Sequence, residues 1–196
     1  MRALVVYCHP DPDSYTAAVR DVIVQKLGHH GAEVEVMDLY AQGFNPVLSP
    51  TEWTDYLDGP VDGADYGPHV VALKACDTLI FVYPTWWYGL PGLLKGWLDR
   101  VLLPDVAFRL PPTGDVQPML THVTRLAAFT TCGASRRLTW LIGSPGRRTI
   151  LRGVRLLCAK RCRTAFLAHY AMDDSSAASR KAHLDKVAQK MDRFLR

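Results

Sequence analysis

The run TLIFVYP at residues 78–84 constrains the fold of this chain more than any other segment. Its apolar character is continuous instead of alternating, which indicates a strand buried on both faces. Strands of that kind occupy the centre of parallel sheets, whose neighbouring strands are joined by crossover helices. The run therefore predicts an α/β protein.

Four further apolar runs predict strands around it, and helical segments separate them. The predicted strands cover residues 3–8, 34–40, 78–84, 122–131 and 162–172. The main predicted helices begin after a cap at Asp13 or Ser14, at 67, at 91, at 149 and after a cap at Ser175 or Ser176. Right-handed crossovers then favour a flavodoxin-like, doubly wound, five-stranded parallel sheet of order 2-1-3-4-5, with helices on both faces.

We interpret residues 1–196 as a single domain, because a chain of 196 residues is long enough for one core and contains no linker-like tract. Residues 43–67 hold several prolines and glycines and predict an irregular surface segment with a short helix near 51–57. The N-terminal apolar run is too short for a signal peptide, and no window is long enough to span a bilayer. We therefore expect a cytoplasmic protein without membrane insertion.

Charge is divided unevenly along the chain. Residues 1–124 carry a net charge of −8 and residues 125–196 a net charge of +12. A basic half favours an anionic partner, for which a phosphate-bearing dinucleotide is one candidate and a solvated basic face the alternative. Few aromatic residues are interleaved with the basic ones, so we expect no nucleic-acid partner. The five cysteines lack zinc-like spacing, so no metal site is expected.

Ligands of doubly wound sheets bind at the carboxyl ends of the strands, which places loops 9–16, 84–90 and 130–136 at the predicted site. The first loop brings His9, Ser14, Tyr15 and Thr16 to a helix start, where unpaired N–H groups favour a phosphate. The alternative for this loop is simple capping by Ser14.

The second loop begins at Pro84 and carries Trp86, Trp87 and Tyr88 in succession. Three bulky aromatic residues cannot all face one core, so at least one is expected to offer a flat wall to a planar ligand. The alternative is core packing or a dimer contact. The third loop has small residues and Gly133, which allow close backbone approach to a ligand, and a plain turn is its alternative.

The three loops together match the needs of a flavin. A flavin requires an anchored phosphate tail, an apolar wall against its ring and donors near its reactive edge. The combination therefore predicts a flavin site more strongly than any one loop does.

Several motifs together resemble the NAD(P)H:quinone oxidoreductase family, which includes DT-diaphorase and its shorter bacterial relatives. They are HP and SYTA in the first loop, DLY at 38–40, FNPVL at 44–48, PTWWYGLPGLLKGWLDRV at 84–101 and TTCG at 130–133. The likeness runs through residues 1–133 and thins afterwards. It implies the flavodoxin-like fold and a homodimer with one flavin per subunit at the dimer interface.

The resemblance also implies an activity. NAD(P)H would give a hydride to flavin N5 and leave, and a quinone or similar acceptor would then take its place, which is a ping-pong two-electron reduction. The expected cofactor is FAD, with FMN as the alternative, and NAD(P)H is the expected co-substrate.

The family motifs assign residues of this chain to parts of that site. Those expected to hold the phosphate tail are His9, Tyr15 and Thr16, with Ser14 beside them. Those expected at the isoalloxazine ring are Thr85, Trp86, Trp87 and Tyr88, with Pro84 before them, and Thr130, Thr131, Cys132 and Gly133 on its pyrimidine side. Those expected to line the shared nicotinamide and quinone pocket are Trp87, Tyr88 and Phe108, and Arg180 aligns with an arginine that reaches the adenosine of FAD.

Two departures from the family pattern matter. Cys132 stands where the family has the first glycine of TTGG, which puts close backbone approach there in doubt. The Tyr and His that assist charge on the reduced flavin have no clear counterpart, and we expect Arg136 or Arg137 to supply positive charge instead.

Three other functions remain open from the sequence. The same fold serves FMN azo- and nitroreductases and regulatory flavoproteins of potassium-efflux systems. A non-enzymatic flavodoxin-type electron carrier is disfavoured by the sequence pI near 8.8, since carriers commonly dock through an acidic face. A flavin-free protein that kept the fold is the third alternative.

Overall fold

Seven strands and eight α-helices are present in the computed structural model, which describes residues 1–60 and 64–196. The strands are β1 (Arg2–Tyr7), β2 (Glu33–Asp38), β3 (Thr78–Thr85), β4 (Phe108–Arg109), β5 (Gln117–Pro118), β6 (Arg125–Cys132) and β7 (Arg163–His169). The helices are α1 (Tyr15–His29), α2 (Pro50–Thr54), α3 (Gly67–Ala75), α4 (Gly92–Val101), α5 (Arg136–Leu141), α6 (Pro145–Arg148), α7 (Arg155–Leu157) and α8 (Ala177–Leu195).

Five of the strands form one parallel sheet in the order β2-β1-β3-β6-β7. This is the predicted 2-1-3-4-5 order, because β4 and β5 pair only with each other in a separate antiparallel ribbon. The central strand β3 is buried on both faces as predicted: Phe81 packs into one apolar layer, and Ile80 and Val82 pack into the other.

Helices cover both faces of the sheet. On one face, Ile23 of α1 and Met191 of α8 pack against the alternate residues of β3. On the other face, Leu73 of α3 and Trp97 of α4 pack against Phe81. Ser14 and Ser176 cap α1 and α8 through their side chains, so one of the two predicted caps is confirmed at each helix.

Several element boundaries differ from the prediction. The fourth sheet strand begins at Arg125 and not at 122, and the predicted loop 104–121 contains the β4–β5 ribbon. The last sheet strand ends at His169, because Ala171 adopts a left-handed φ of 52° and a 3₁₀ turn follows at Met172–Asp174. The helix predicted at 149–159 consists of a π-helical turn (Thr149–Val154) and α7, and it is preceded by α6, where a loop was predicted.

The predicted irregular segment 43–67 contains α2 and a 3₁₀ turn (Tyr56–Asp58), and its residues 61–63 lie outside the described part of the chain. Ser49 and Glu52 form a capping box at the start of α2. The segment FNPVL crosses α4 at Gly96, where an added Cβ would overlap the carbonyl oxygen, Cβ and Cα of Pro46. A close crossing of this kind requires glycine.

Arg100, on the next turn of α4, fixes the same segment. Its side chain is buried, and its guanidinium donates to Asn45 O at 2.6 Å, to Asp65 Oδ1 at 2.6 Å and to Glu52 Oε1. Arg100 is therefore structural.

Across the described residues, none of the helices combines enough length with enough apolar character to cross a membrane.

Candidate functional site

A pocket of about 920 Å³ opens where the carboxyl ends of β1, β3 and β6 meet. The strand register brings the second and third loops together, since Pro84 pairs with Thr131 and Thr85 with Cys132. The first loop follows β1, which lies on the other side of β3. All three loops predicted at this edge contribute to the wall.

Most of the predicted cofactor residues line this pocket. They are His9, Ser14, Tyr15, Thr16, Pro84, Thr85, Trp86, Trp87, Tyr88, Thr131, Cys132 and Gly133. Thr130 instead lines a smaller adjacent cavity. Phe108 lies in the β4–β5 ribbon and Arg180 in α8, and neither is part of the wall in a single chain.

Four wall residues were not predicted: Ala134, Leu138, Met172 and Asp173. Met172 and Asp173 belong to the turn after β7, whereas the sequence predicts a strand that continues to residue 172. The sheet order itself was a usable signal, because every loop at the carboxyl edge is a candidate wall element. One of them lies directly against the third loop, since a Cβ added at Gly133 would lie 2.6 Å from Asp173 Oδ2.

The first loop is held by capping and by the end of β1. Ser14 Oγ accepts a hydrogen bond from Ala17 N at 3.2 Å and lies 3.3 Å from the Tyr7 hydroxyl. Capping by Ser14, one of the two interpretations of this loop, is thus present. The exposed part of the loop still faces the pocket. It includes the His9 ring, whose centroid lies 6.5 Å from that of the Trp86 ring.

The second loop is a tight turn with two aromatic residues in a left-handed conformation. Gly89 N donates to Trp86 O at 3.0 Å, and the two central residues have φ of 48° at Trp87 and 61° at Tyr88. Two positive φ values are the pattern of a type I′ turn, for which Asn and Gly are favoured. Left-handed backbone costs a non-glycine residue on the order of 1–2 kcal/mol.

Packing within the chain does not offset that strain at Trp87, whose side chain is 95% exposed. Core packing is therefore excluded for Trp87, while a ligand wall and a dimer contact both remain. Strain concentrated in an exposed aromatic residue at a pocket rim indicates a binding role.

Threonine hydroxyls join the strand ends beneath the pocket. Thr85 and Thr130 lie 2.8 Å apart, and Thr130 also donates to Thr131 O at 3.2 Å, so Thr85 must donate to Thr130. Thr16 and Thr131 lie 3.0 Å apart, and only one of their two hydroxyl hydrogens is used in that bond. Because both residues line the pocket, one hydroxyl hydrogen is left to donate to a ligand.

Cys132 contributes backbone more than thiol to the wall. It is buried, and its Sγ lies 3.7 Å from Thr139 Oγ1 behind the pocket. The side chain that replaces the family glycine is thus accommodated between β6 and α5.

Tyr15 links the pocket to α8. Its hydroxyl donates to Arg180 O at 2.8 Å and lies 2.9 Å from His183 Nδ1. Because the single hydroxyl hydrogen is used on Arg180 O, Nδ1 of His183 carries a hydrogen and donates. Burial raises the pKa of Tyr15 to about 12 against the opposing charge of Arg180, so the phenol stays protonated.

Arg180 therefore acts here through its backbone. Its guanidinium is turned away and donates to Ser175 O at 2.9 Å and to Ser175 Oγ at 3.0 Å.

We expect His183 to make the protein sensitive to mild acid. Burial, together with His169 and Lys186, lowers the pKa of His183 to about 4. Below the unfolded value near 6.5 the unfolded chain binds a proton that the folded chain does not, so the free energy of unfolding falls as the pH falls. The loss attributable to His183 is roughly 2 kcal/mol between pH 7 and pH 5.

Urea unfolding of wild type and of His183→Asn at both pH values measures this loss. The amide of Asn keeps a donor near Tyr15 but does not titrate, so the variant should show a smaller fall in stability. His29→Asn, at an exposed position, is the control and should behave as wild type. Equal pH dependence in wild type and His183→Asn would contradict the assignment.

One arginine lies near the pocket, but it is neither Arg136 nor Arg137, the two expected from the sequence. Arg147 lines the smaller cavity together with Thr85 and Tyr88, which also line the main pocket. Arg136 and Arg137 lie at the start of α5 with exposed side chains and are absent from the walls of both cavities. The structure thus favours Arg147 as the arginine nearest the ring-binding loops.

A three-loop pocket at the strand ends of a 2-1-3-6-7 sheet defines the flavodoxin-like class of α/β proteins. The sequence profile described as "Flavodoxin-like fold" matches residues 1–195, and the chain belongs to that family.

Named relatives agree with the resemblance found in the sequence. NAD(P)H dehydrogenase [quinone] 1 of Rattus norvegicus is 32% identical over 166 residues, covering 76% of this chain and 60% of that protein. The uncharacterized NAD(P)H oxidoreductase YcaK of Escherichia coli (strain K12) is 39% identical over 104 residues, covering 51% of this chain and 52% of that protein. The resemblance to NAD(P)H:quinone oxidoreductases is thereby confirmed, although the chain spans only about 60% of the length of the rat protein.

The structure of an NAD(P)H:quinone oxidoreductase from Methanothermobacter marburgensis superposes with a TM-score of 0.84 at 21% identity, covering all of this chain and 98% of the other. At that identity the similarity supports the fold alone.

Proposed function

We propose that this protein is a flavin-dependent NAD(P)H oxidoreductase that passes two electrons to a quinone or a similar acceptor. The observation that carries the proposal is the strained, exposed Trp87–Tyr88 turn at the rim of the strand-end pocket. A flat aromatic surface beside hydroxyl and backbone donors suits a planar ring with a polar edge. When bound, a flavin supplies hydride chemistry at its N5 atom.

The residues fit such a group from one end of the pocket to the other. His9, Ser14 and Thr16 surround the start of α1, where backbone N–H groups and the helix dipole favour a phosphate. Thr131 and Gly133 offer a hydroxyl and open backbone to the polar side of a ring. We propose FAD as the flavin on the family resemblance alone, and FMN is the alternative.

Trp87 and Tyr88 would form the wall on which nicotinamide and acceptor bind in turn. Since one surface serves both, NAD(P)H would give up its hydride and leave as the oxidised dinucleotide before the acceptor enters, which is the physical basis of a ping-pong scheme.

We further propose a homodimer that completes this site. In a single chain Trp53, Leu57 and Trp87 all remain exposed, and large exposed apolar side chains are typical of interfaces. Phe108 lies outside the wall, so its predicted place in the pocket requires a second copy. The cytoplasmic location expected from the sequence stays a prediction.

Purified protein tests the proposal directly. The released cofactor is identified by chromatography, and the steady-state oxidation of NADH and NADPH is followed with a benzoquinone as acceptor. Yellow protein and parallel double-reciprocal lines are the expected results. Colourless protein that cannot be reconstituted with FAD or FMN would overturn the flavin assignment, and intersecting lines would overturn the ping-pong scheme.

Trp87→Asn is expected to weaken flavin binding and to stabilise the protein without ligand. Asn tolerates left-handed backbone better than Trp does, and an indole that is 95% exposed loses almost no packing on removal. The expected gain in the free energy of unfolding is about 1 kcal/mol. Flavin titration and urea unfolding of the apoprotein measure the two effects.

Leu156→Asn is the control, because Leu156 is also exposed, at 75%, but lies in α7, away from the pocket wall. It should leave flavin affinity unchanged. Full flavin affinity in Trp87→Asn would contradict the wall role of Trp87.

A further inference from the structure

A second cleft lies beside the main pocket and is rich in arginine. We call it the arginine cleft; its volume is about 320 Å³, and Trp140, Ser144, Arg147, Arg148, Arg152 and Thr164 line it. It sits between α5, the helical turns at 145–154 and the edge strand β7. It belongs to the basic second half of the chain.

Within the described part of the chain, no carboxylate forms an ion pair with these three arginines. Among the ion pairs of the described residues, Arg2, Arg20, Arg100 and Arg109 each meet an acidic side chain, whereas Arg147, Arg148 and Arg152 meet none. Three unneutralised guanidinium groups around one cleft repel one another and create a positive potential. An anion bound among them would relieve that repulsion.

The guanidinium groups are held in place by local packing. Gly143 has φ of 91°, and an added Cβ there would lie 3.2 Å from Arg148 Nη1, so the absence of a side chain leaves room for that guanidinium. Arg147 lies over the ring of Phe166 at 5.3 Å from the centroid. Positioning before binding lowers the entropy lost when an anion is bound.

The cleft lies next to the proposed active site. Ser144 and Arg147 line both the arginine cleft and the smaller cavity, and Thr85 and Tyr88 line both that cavity and the main pocket. These shared walls place the arginines beside the Tyr88 turn, so a substrate with its reactive end at Tyr88 would reach them over the outer surface of residues 144–147.

The rim of the cleft carries an aromatic platform. Trp140 is 77% exposed and lines the cleft from α5. A flat indole beside guanidinium groups suits a purine attached to a phosphate, because the base can stack while the phosphate accepts charged hydrogen bonds.

We propose that the arginine cleft binds the 2′-phosphate of NADPH, with the adenine against Trp140, and so makes NADPH the preferred reductant. This inference rests on the proposed function, since it concerns the second end of the same substrate. Arg148 and Arg152 are the arginines confined to the cleft, whereas Arg147 also lines the smaller cavity.

The first test measures binding to the purified holoprotein by calorimetry at low salt. The probes are adenosine 2′,5′-bisphosphate, adenosine 5′-monophosphate and inorganic phosphate. We expect the bisphosphate to bind at least about tenfold more tightly than either other probe, and raised salt to weaken it. Equal affinities for the bisphosphate and the monophosphate would overturn the proposal, and so would equal affinities for the bisphosphate and inorganic phosphate.

The second test uses the double variant Arg148→Ser/Arg152→Ser. Both side chains are exposed and make no ion pair among the described residues, so the variant should fold, which thermal unfolding checks. We expect its affinity for the bisphosphate to fall at least about tenfold, and its ratio of kcat/KM for NADPH to kcat/KM for NADH to fall by a similar factor. Arg161→Ser removes an exposed arginine outside the cleft and should leave both quantities unchanged.

The outcomes separate this proposal from the proposed function. A wild type that oxidises NADH and NADPH with equal kcat/KM, with no change in the double variant, would overturn the cleft assignment and leave the oxidoreductase standing. A protein that binds the bisphosphate selectively but holds no flavin would support the cleft and overturn the proposed function.

Discussion

Arg100→Met should lower the free energy of unfolding by about 3–5 kcal/mol, the range for removing one partner of a buried ion pair. Arg100 is 4% exposed and lies between the rings of Phe44 and Tyr66, at 5.5 and 5.3 Å from their centroids. Methionine fills much of the same volume, so the loss comes mainly from the unpaired carboxylates and from the unsatisfied carbonyl of Asn45.

Glu52 accounts for most of that loss. Burial raises the pKa of Glu52, but hydrogen bonds from Arg100 and Ser49 outweigh burial and hold the pKa below its usual value. Without Arg100, burial is opposed only by the hydrogen bonds from Ser49, so the charged carboxylate is less stable there. Asp65 is more exposed and is solvated by water more readily.

Urea unfolding of three variants separates these effects. The double variant Arg100→Met/Glu52→Gln should recover part of the loss, because it removes the buried charge together with its partner. Lys95→Met on the same helix breaks the exposed pair with Asp99 and should cost less than about 0.5 kcal/mol. A loss in Arg100→Met no larger than that in Lys95→Met would show that the buried cluster does not stabilise the fold.

Gly96→Ala should destabilise the protein by about 3 kcal/mol or more, although alanine favours a helix by about 1 kcal/mol over glycine. The added Cβ would overlap three atoms of Pro46, two of them backbone, so the side chain cannot simply rotate away. Overpacking typically costs about 1–3 kcal/mol, and an overlap with backbone exceeds that range.

Gly92→Ala provides a matched comparison within the same helix. Nothing lies within 4 Å of a Cβ added at Gly92, and its φ is not in the left-handed region. This variant should be neutral or stabilised by up to about 1 kcal/mol. Equal stabilities of the Gly96→Ala and Gly92→Ala variants would refute the close crossing of FNPVL over α4.

The periodicity of the sequence was sufficient for the sheet but not for all of the site. Continuous apolar runs identified β1, β3 and β6, and topology rules then placed three loops at one edge. Met172 and Asp173 were missed because one residue, Ala171, turns left-handed and ends β7 early. Hydrophobic periodicity does not predict a left-handed φ at a single residue.

The other features that the sequence did not predict depend on the assembled fold. The sequence showed three aromatic residues at 86–88 but not that two of them are central in a type I′ turn, where other residues are usual. The partners of Arg100 lie 35 and 48 residues away, in a segment without regular periodicity. Contacts of that kind depend on the assembled fold, and local propensity carries no information about them.

The burial of the five cysteines has a consequence for a protein that handles quinones. Quinones alkylate accessible thiolates by conjugate addition, so an enzyme that reduces them is exposed to a reactive electrophile at every turnover. Cys8, Cys76, Cys132, Cys158 and Cys162 are all buried, and burial raises the pKa of Cys8 and of Cys76 to about 12, which leaves these two almost entirely as unreactive thiols. The fold thus shields Cys8 and Cys76 from its proposed substrate.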